Sequence, residues 1–177
     1  MTVSPTQVQN VKLGSCNVMF GTTDLGLTKG GVKVSISTQT KTITVDQFGQ
    51  TIMNEYIMGR SGTVSVPMAE SDLTKLAAVI PGATLVTGTP TTKLKLKIPT
   101  AVGTSLVTTA LPLVLHPTAL ASTDVSQDVT IPLANVTANI TFEYQAENER
   151  IYSVEFTMFP DPTSGLMLTI GDTTVVG

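Results

Sequence analysis

IYSVEFTMF, residues 151–159, decides the fold. Tyr152, Val154, Phe156 and Met158 alternate with Ser153, Glu155 and Thr157. A strict period of two is the mark of a β-strand with one face buried and the other polar. Immediately upstream, Val136, Ala138, Ile140, Phe142 and Tyr144 alternate with Thr137, Asn139, Thr141, Glu143 and Gln145. The short polar run Glu147-Asn148-Glu149-Arg150 between the two predicts a hairpin. The same alternation recurs at Thr92 to Pro99, where Leu94, Leu96 and Ile98 oppose Lys93, Lys95 and Lys97.

Working outward, further strands are predicted at 16–20, 32–43, 51–58, 62–68, 111–115, 129–133 and 166–170. In the 32–43 strand the apolar parity changes between Val34-x-Ile36 and Ile43-x-Val45, so a bulge or bend is expected within residues 37–41. Gly59 and Gly62 predict a bend or tight turn between the next two strands. One segment has helical spacing. Ser71 is placed to cap it, Asp72 lies in its first turn, and Leu73, Leu76, Ala77 and Ile80 form an apolar stripe ended by Pro81-Gly82. Segments 84–92 and 117–127 read as loops and Met1 to Asn10 as an extended arm. The expected architecture is all-β with one flanking helix: two packed β-sheets, sandwich- or barrel-like, in a single domain spanning 1–177.

Composition narrows the function. The 177 residues suffice for one ordinary domain that needs no disulfide or metal for its core. Cys16 is the only cysteine, which excludes an internal disulfide. A net charge of −3 argues against a dedicated nucleic-acid binder. Charged residues are only 13% of the chain, about half the usual share, so much of the surface is expected to be covered by other subunits or coated with Thr and Ser. Neither a secretory leader nor an 18-residue apolar run is visible, so synthesis in a cytoplasm and no membrane span are expected.

Sites for chemistry are scarce. The single histidine, His116, has no metal-ligand partners at ligand spacing and reads as a strand-end residue. No serine sits in G-x-S-x-G. Gly21 and Gly26 have phosphate-loop spacing, but Leu27-Thr28 stands where a lysine and a hydroxyl residue are required. Asn135-Val136-Thr137 and Asn139-Ile140-Thr141 match the glycosylation pattern by chance in a Thr-rich chain. Glu143, Glu147, Glu149 and Asp161 read as solvated turn charges, and Lys93-Lys95-Lys97 as a row that protects an edge strand or meets a partner. No enzyme, cofactor or metal is expected.

Three stretches resemble the tail tube (major tail) proteins of long-tailed bacteriophages. They are GTTDLGLTKGG (21–31) running into GVKVSIS, VDQFGQTIMNEYIMGRSGTVSVPMAESDLTKLAAVIPGAT (45–84), and YQAENERIYSVEFTMFPDPTSGLMLTIGD (144–172). Together they cover about half of the chain and contain no catalytic motif; residues 85–133 are less distinctive. The resemblance implies a fold shared with the inner tube of contractile secretion machines. It implies six subunits per ring, rings stacked into a hollow tube, edge-to-edge strand joining around an inner barrel, and a lumen that carries the genome. The implied partners are further copies of the chain and other tail proteins (the tip or initiator, terminator and tape measure), with DNA passing without sticking. The implied location is the virion tail.

Lysine-poor polar faces suit such a lumen, because cations would bind phosphates. The candidate lumen-facing residues are Glu143, Ser153, Glu155 and Thr157, with Glu55 and Ser65 as weaker candidates. The candidate inter-ring contact is Val45, Asp46, Gln47 and Phe48, which places an aromatic in a loop. A carbohydrate- or host-surface-binding β-sandwich is a competing class, disfavoured by 5% aromatics and no Trp. A tail terminator or capsid decoration protein is a competing role within the virion.

Overall fold

The computed structural model describes residues 14–100, 102–137, 140–145, 147 and 149–175. The expected N-terminal arm, 1–10, lies outside them. The described chain is all-β with one helix and two antiparallel sheets. Its strands are β1 (Cys16–Phe20), β2 (Thr23–Asp24), β3 (Lys33–Ile43), β4 (Asn54–Met68), β5 (Thr84–Thr87), β6 (Leu94–Lys97), β7 (Leu111–Pro117), β8 (Val129–Val136), β9 (Tyr152–Phe159) and β10 (Thr169–Ile170). Helix α1 is Leu73–Val79.

The larger sheet has the order β2-β1-β7-β8-β9-β4-β3, with β10 paired to the start of β8. The smaller sheet is β5-β6 alone. Phe20 on β1 and Phe156 on β9 touch at 5.0 Å between ring centroids, although β7 and β8 separate their strands. The large sheet therefore curls over its own apolar face. Val18, Val64, Val66, Leu113, Ile131, Val154 and Phe156 fill the space inside. Leu73 of α1 and Leu96 of β6 pack against the same core, so helix and small sheet form its lid.

β9 follows its sequence pattern residue by residue: Tyr152, Val154, Phe156 and Met158 are buried, and the alternating residues are half-buried. Several boundaries differ from expectation. β8 ends at Val136, and among the described residues of the strand expected at 136–146 only an isolated bridge, Thr141 to Ser153, marks a partner for the start of β9. The expected strands 51–58 and 62–68 are one continuous strand, β4. Gly62 is a close-packing site, since an added Cβ would collide with Met158. The expected 166–170 strand shortens to β10. β5, read as part of a loop, pairs with β6 in the register Leu85 opposite Leu96.

Asp72, not Ser71, is the N-cap of α1, its carboxylate accepting the Thr74 N–H at 2.8 Å. A carboxylate is the better cap here because it also meets the positive end of the helix. Leu76 and Val79 are the buried residues of the helix, and Ile80 is its C-cap.

The β3/β4 register shifts between Gln39 and Thr40, inside the stretch where sequence parity changes. The extra residue, however, is Met58 on β4, because Gln39 faces Gly59 while Thr40 faces Ile57. β3 keeps its alternation, and it is β4 whose faces exchange at the bulge.

Candidate assembly surface

β9 pairs with β4 only from Thr63 to Met68. The remainder of β4, residues 54–62, has β3 on one side and no strand on the other among the described residues. At about 3.3 Å per residue this ribbon reaches roughly 30 Å beyond its last rung with β9. It is a two-stranded arm whose base, at Ile36, Arg60 and Gly62, lies against Met158 and the segment from Pro160 to Leu168. Every residue of β3 is exposed, and so are residues 54–58 of β4.

The arm closes through a 3-10 turn, Asp46–Phe48. The Phe48 N–H donates to the Val45 carbonyl at 3.1 Å, Gly49 N–H to Asp46 at 3.3 Å, and Met53 N–H to Ile43 at 2.9 Å. Gly49 has φ +61° and ψ −128°, a conformation that side chains resist, which lets the chain reverse at this point. The turn satisfies its own backbone and leaves the Phe48 ring outside, 61% exposed. Ile52, Met53, Tyr56, Ile57 and Met58 are each more than half exposed on the same arm. Apolar side chains stand on both of its faces, so packing on the parent sheet could cover only one of them. Contiguous exposed apolar surface of this kind marks an interaction site.

Val45, Asp46, Gln47 and Phe48 thus occupy the tip of the arm, all exposed. Ser153, Glu155 and Thr157 share the face of β9 that points away from the core. Cross-strand pairing extends this face through Ser65 opposite Glu155, Thr63 opposite Thr157, and Lys33 opposite Ser65. The Thr137 and Thr157 hydroxyls are hydrogen-bonded on it. Glu143 lies off β9 itself, in the segment 140–145, where it accepts from Gln145 Nε2 at 2.6 Å and lines the same cavity as Ser153. Glu55 is also separated, because the Met58 bulge turns it to the face opposite Ser65, where the Thr40 hydroxyl donates to it at 2.5 Å.

The remaining polar residues have local roles. His116 Nδ1 lies 2.7 Å from Asp128 Oδ1 at the end of β7, and its Nε2 is buried with no partner among the described residues. Cys16 is half-buried against the core, and burial pushes its thiol pKa up. Asn135 is 3% exposed, its Nδ2 donating to the Leu106 carbonyl and to Thr109 Oγ1, each at 2.8 Å, which explains why this sequon is unsuited to glycan attachment in the folded chain. Glu149 pairs with Lys29, while the Ser164 hydroxyl and the Thr163 and Ser164 N–H groups hold the Asp161 carboxyl below its usual range. Among the described residues no group of three or more His, Cys, Asp and Glu side chains could hold a metal, and no helix is long and apolar enough to cross a membrane.

No protein-family model and no curated protein matches this chain. The length of the arm was not read from the sequence. Its signal was there: 52–58, IMNEYIM, places apolar residues at both parities, which a strand with a single buried face does not need.

Proposed function

We propose that the chain is a structural subunit that assembles with copies of itself into stacked rings, the hollow tail tube of a long-tailed phage, and that it is not an enzyme. One observation carries this reading: an apolar arm whose outer part no other strand covers among the described residues. An exposed ribbon with open edges is an aggregation hazard for a monomer, and natural proteins normally blunt such edges. A closed ring of copies converts the hazard into an interface, and a heterologous contact that also propagates along an axis gives a stack. In this reading the open edges of β3 and β4 join neighbouring subunits, and the arm tip reaches the next ring. The Ser/Thr-rich face with Ser153, Glu155 and Thr157 is offered to the genome in transit. Further copies, a tip or initiator, a terminator and a tape measure are the tail partners, and the site of action is the virion.

Negative-stain electron microscopy of the purified protein across a concentration series tests the reading. Hollow tubes or stacked six-fold rings are expected. Phe48→Ala should leave the subunit folded, with stability changed by no more than about 0.5 kcal/mol as for other exposed sites, yet assembling poorly. Isolated rings that never stack would favour a terminator instead, and monomers that fail to elongate on tail-tip complexes would refute the tube.

A further inference from the structure

The arm needs an acceptor, and charge identifies one. Between Leu73 and Thr123 the chain carries four of its ten Lys and Arg residues and none of its thirteen Asp and Glu residues. Lys75 is paired with Glu70. The other three, Lys93, Lys95 and Lys97, are exposed and have no carboxylate partner among the described residues. The register of the small sheet sets Lys97 opposite Thr84 and Lys95 opposite Val86. Leu85 and Leu96 take the other face, and Leu96 packs on the core, so the lysines point outward. Exposed Val86, opposite Lys95, shares the lysine face, whereas Leu94 has the parity of Leu96. The result is a surface of uncompensated positive charge around Val86.

The arm is its complement. Beyond the Met58 bulge the arm carries Lys41, Asp46 and Glu55, a net charge of −1; Lys41, opposite Tyr56, lies on the other face from Glu55, and the acidic pair is set among exposed Phe48, Ile52, Met53 and Ile57. The two surfaces cannot meet within one molecule. β4 is one unbroken strand from Asn54 to Met68, with the arm tip before its start and α1, which carries β5 and β6, just after its end. At about 3.3 Å per residue the two surfaces lie roughly 50 Å apart.

We propose that the arm of one copy docks on the β5-β6 face of the next copy, Asp46 and Glu55 against Lys93, Lys95 and Lys97. The inference rests on the self-assembly reading and supplies its axial contact. Because donor and acceptor sit at opposite ends of the subunit, the contact is heterologous and each docking event presents a fresh pair of surfaces. Opposite charges across it set register and exclude wrong pairings more than they add affinity.

Charge reversal tests it. Variant one carries Lys93→Glu, Lys95→Glu and Lys97→Glu; variant two carries Asp46→Lys and Glu55→Lys; a third chain carries all five. Circular dichroism checks that each is folded, and electron microscopy counts stacked particles. Variants one and two should each lose at least about tenfold in stacking, since like charges now face each other. An equimolar mixture of the two should recover it, and so should the five-fold variant, because each restores opposite signs. Stacking of variant one at the wild-type level, or loss without recovery in the mixture and the five-fold chain, would overturn the docking while leaving self-assembly intact. Failure of the wild type to assemble would overturn both. If variant one stacks normally but loses binding to double-stranded DNA, the lysine face is a polyanion site and the docking is overturned.

Discussion

Glu70 ties three segments together: its Oε1 accepts the Leu27 N–H at 2.8 Å and its Oε2 accepts from Lys75 Nζ at 2.5 Å. The hydrogen bond from Lys75, followed by that from Leu27, holds the Glu70 pKa below its ordinary 4.5. A carboxylate with a depressed folded pKa contributes stability that is present above the unfolded value and lost as pH falls through the folded one. The midpoint of unfolding by denaturant should therefore fall as pH drops below about 4.5, and Glu70→Gln should flatten that part of the curve. An unchanged acid limb in Glu70→Gln would show that other carboxylates set it. Glu70 carried no signal in the sequence, because Leu27 reaches it only through the fold, 43 positions away. Asp72 was visible as a helix-start residue, but whether it or Ser71 caps α1 depends on the backbone turn leading out of β4.

At the scale of elements, the β3-β4 arm contributes nothing to the core. The buried residues of β4 begin at Gly62, and β3 has none. Gln39 and Gly59 are direct partners, so an Asn-Gly turn can join them in place of residues 40–58. The shortened chain should fold with a melting temperature within about 5 °C of the parent and remain unassembled in electron micrographs. A large fall in melting temperature would mean that the arm stabilises its own subunit. Alternation located β1, β3, β7 and β9 well, since each has one face on the core or a run of β-branched residues. Past Val136 it is met only in part: on the β8-side edge of β9, beyond Phe156, the described residues keep a single bridge, Thr141 to Ser153, with both of its backbone hydrogen bonds.

For the whole molecule, the curl of the large sheet gives the chain two unlike surfaces, an apolar interior and a hydroxyl-rich exterior on β9 and β4. If that exterior lines a lumen, Ser153→Lys with Glu155→Lys should still give tubes. Those tubes should co-sediment with double-stranded DNA at low salt and release it as salt rises, because each new cation releases condensed counterions on contact with phosphate. Tubes that form and bind no more DNA than the wild type would take this face out of the lumen. Lys33 already lies in the same cross-strand row as Ser65 and Glu155, so the added lysines would tip a face that is now close to neutral.

What the sequence determined by itself is local: period-two alternation, one capped amphipathic helix, and a composition poor in charge and rich in Thr. These follow from side-chain periodicity and solvation, which act over a few residues. Only the tertiary structure decided which alternating segments find partners, where the Met58 bulge exchanges the faces of β4, and that β4 outruns β9 to leave an arm that no further strand covers among the described residues. Those depend on the lengths of strands distant in the chain, since a strand is buried only as far as its neighbour extends.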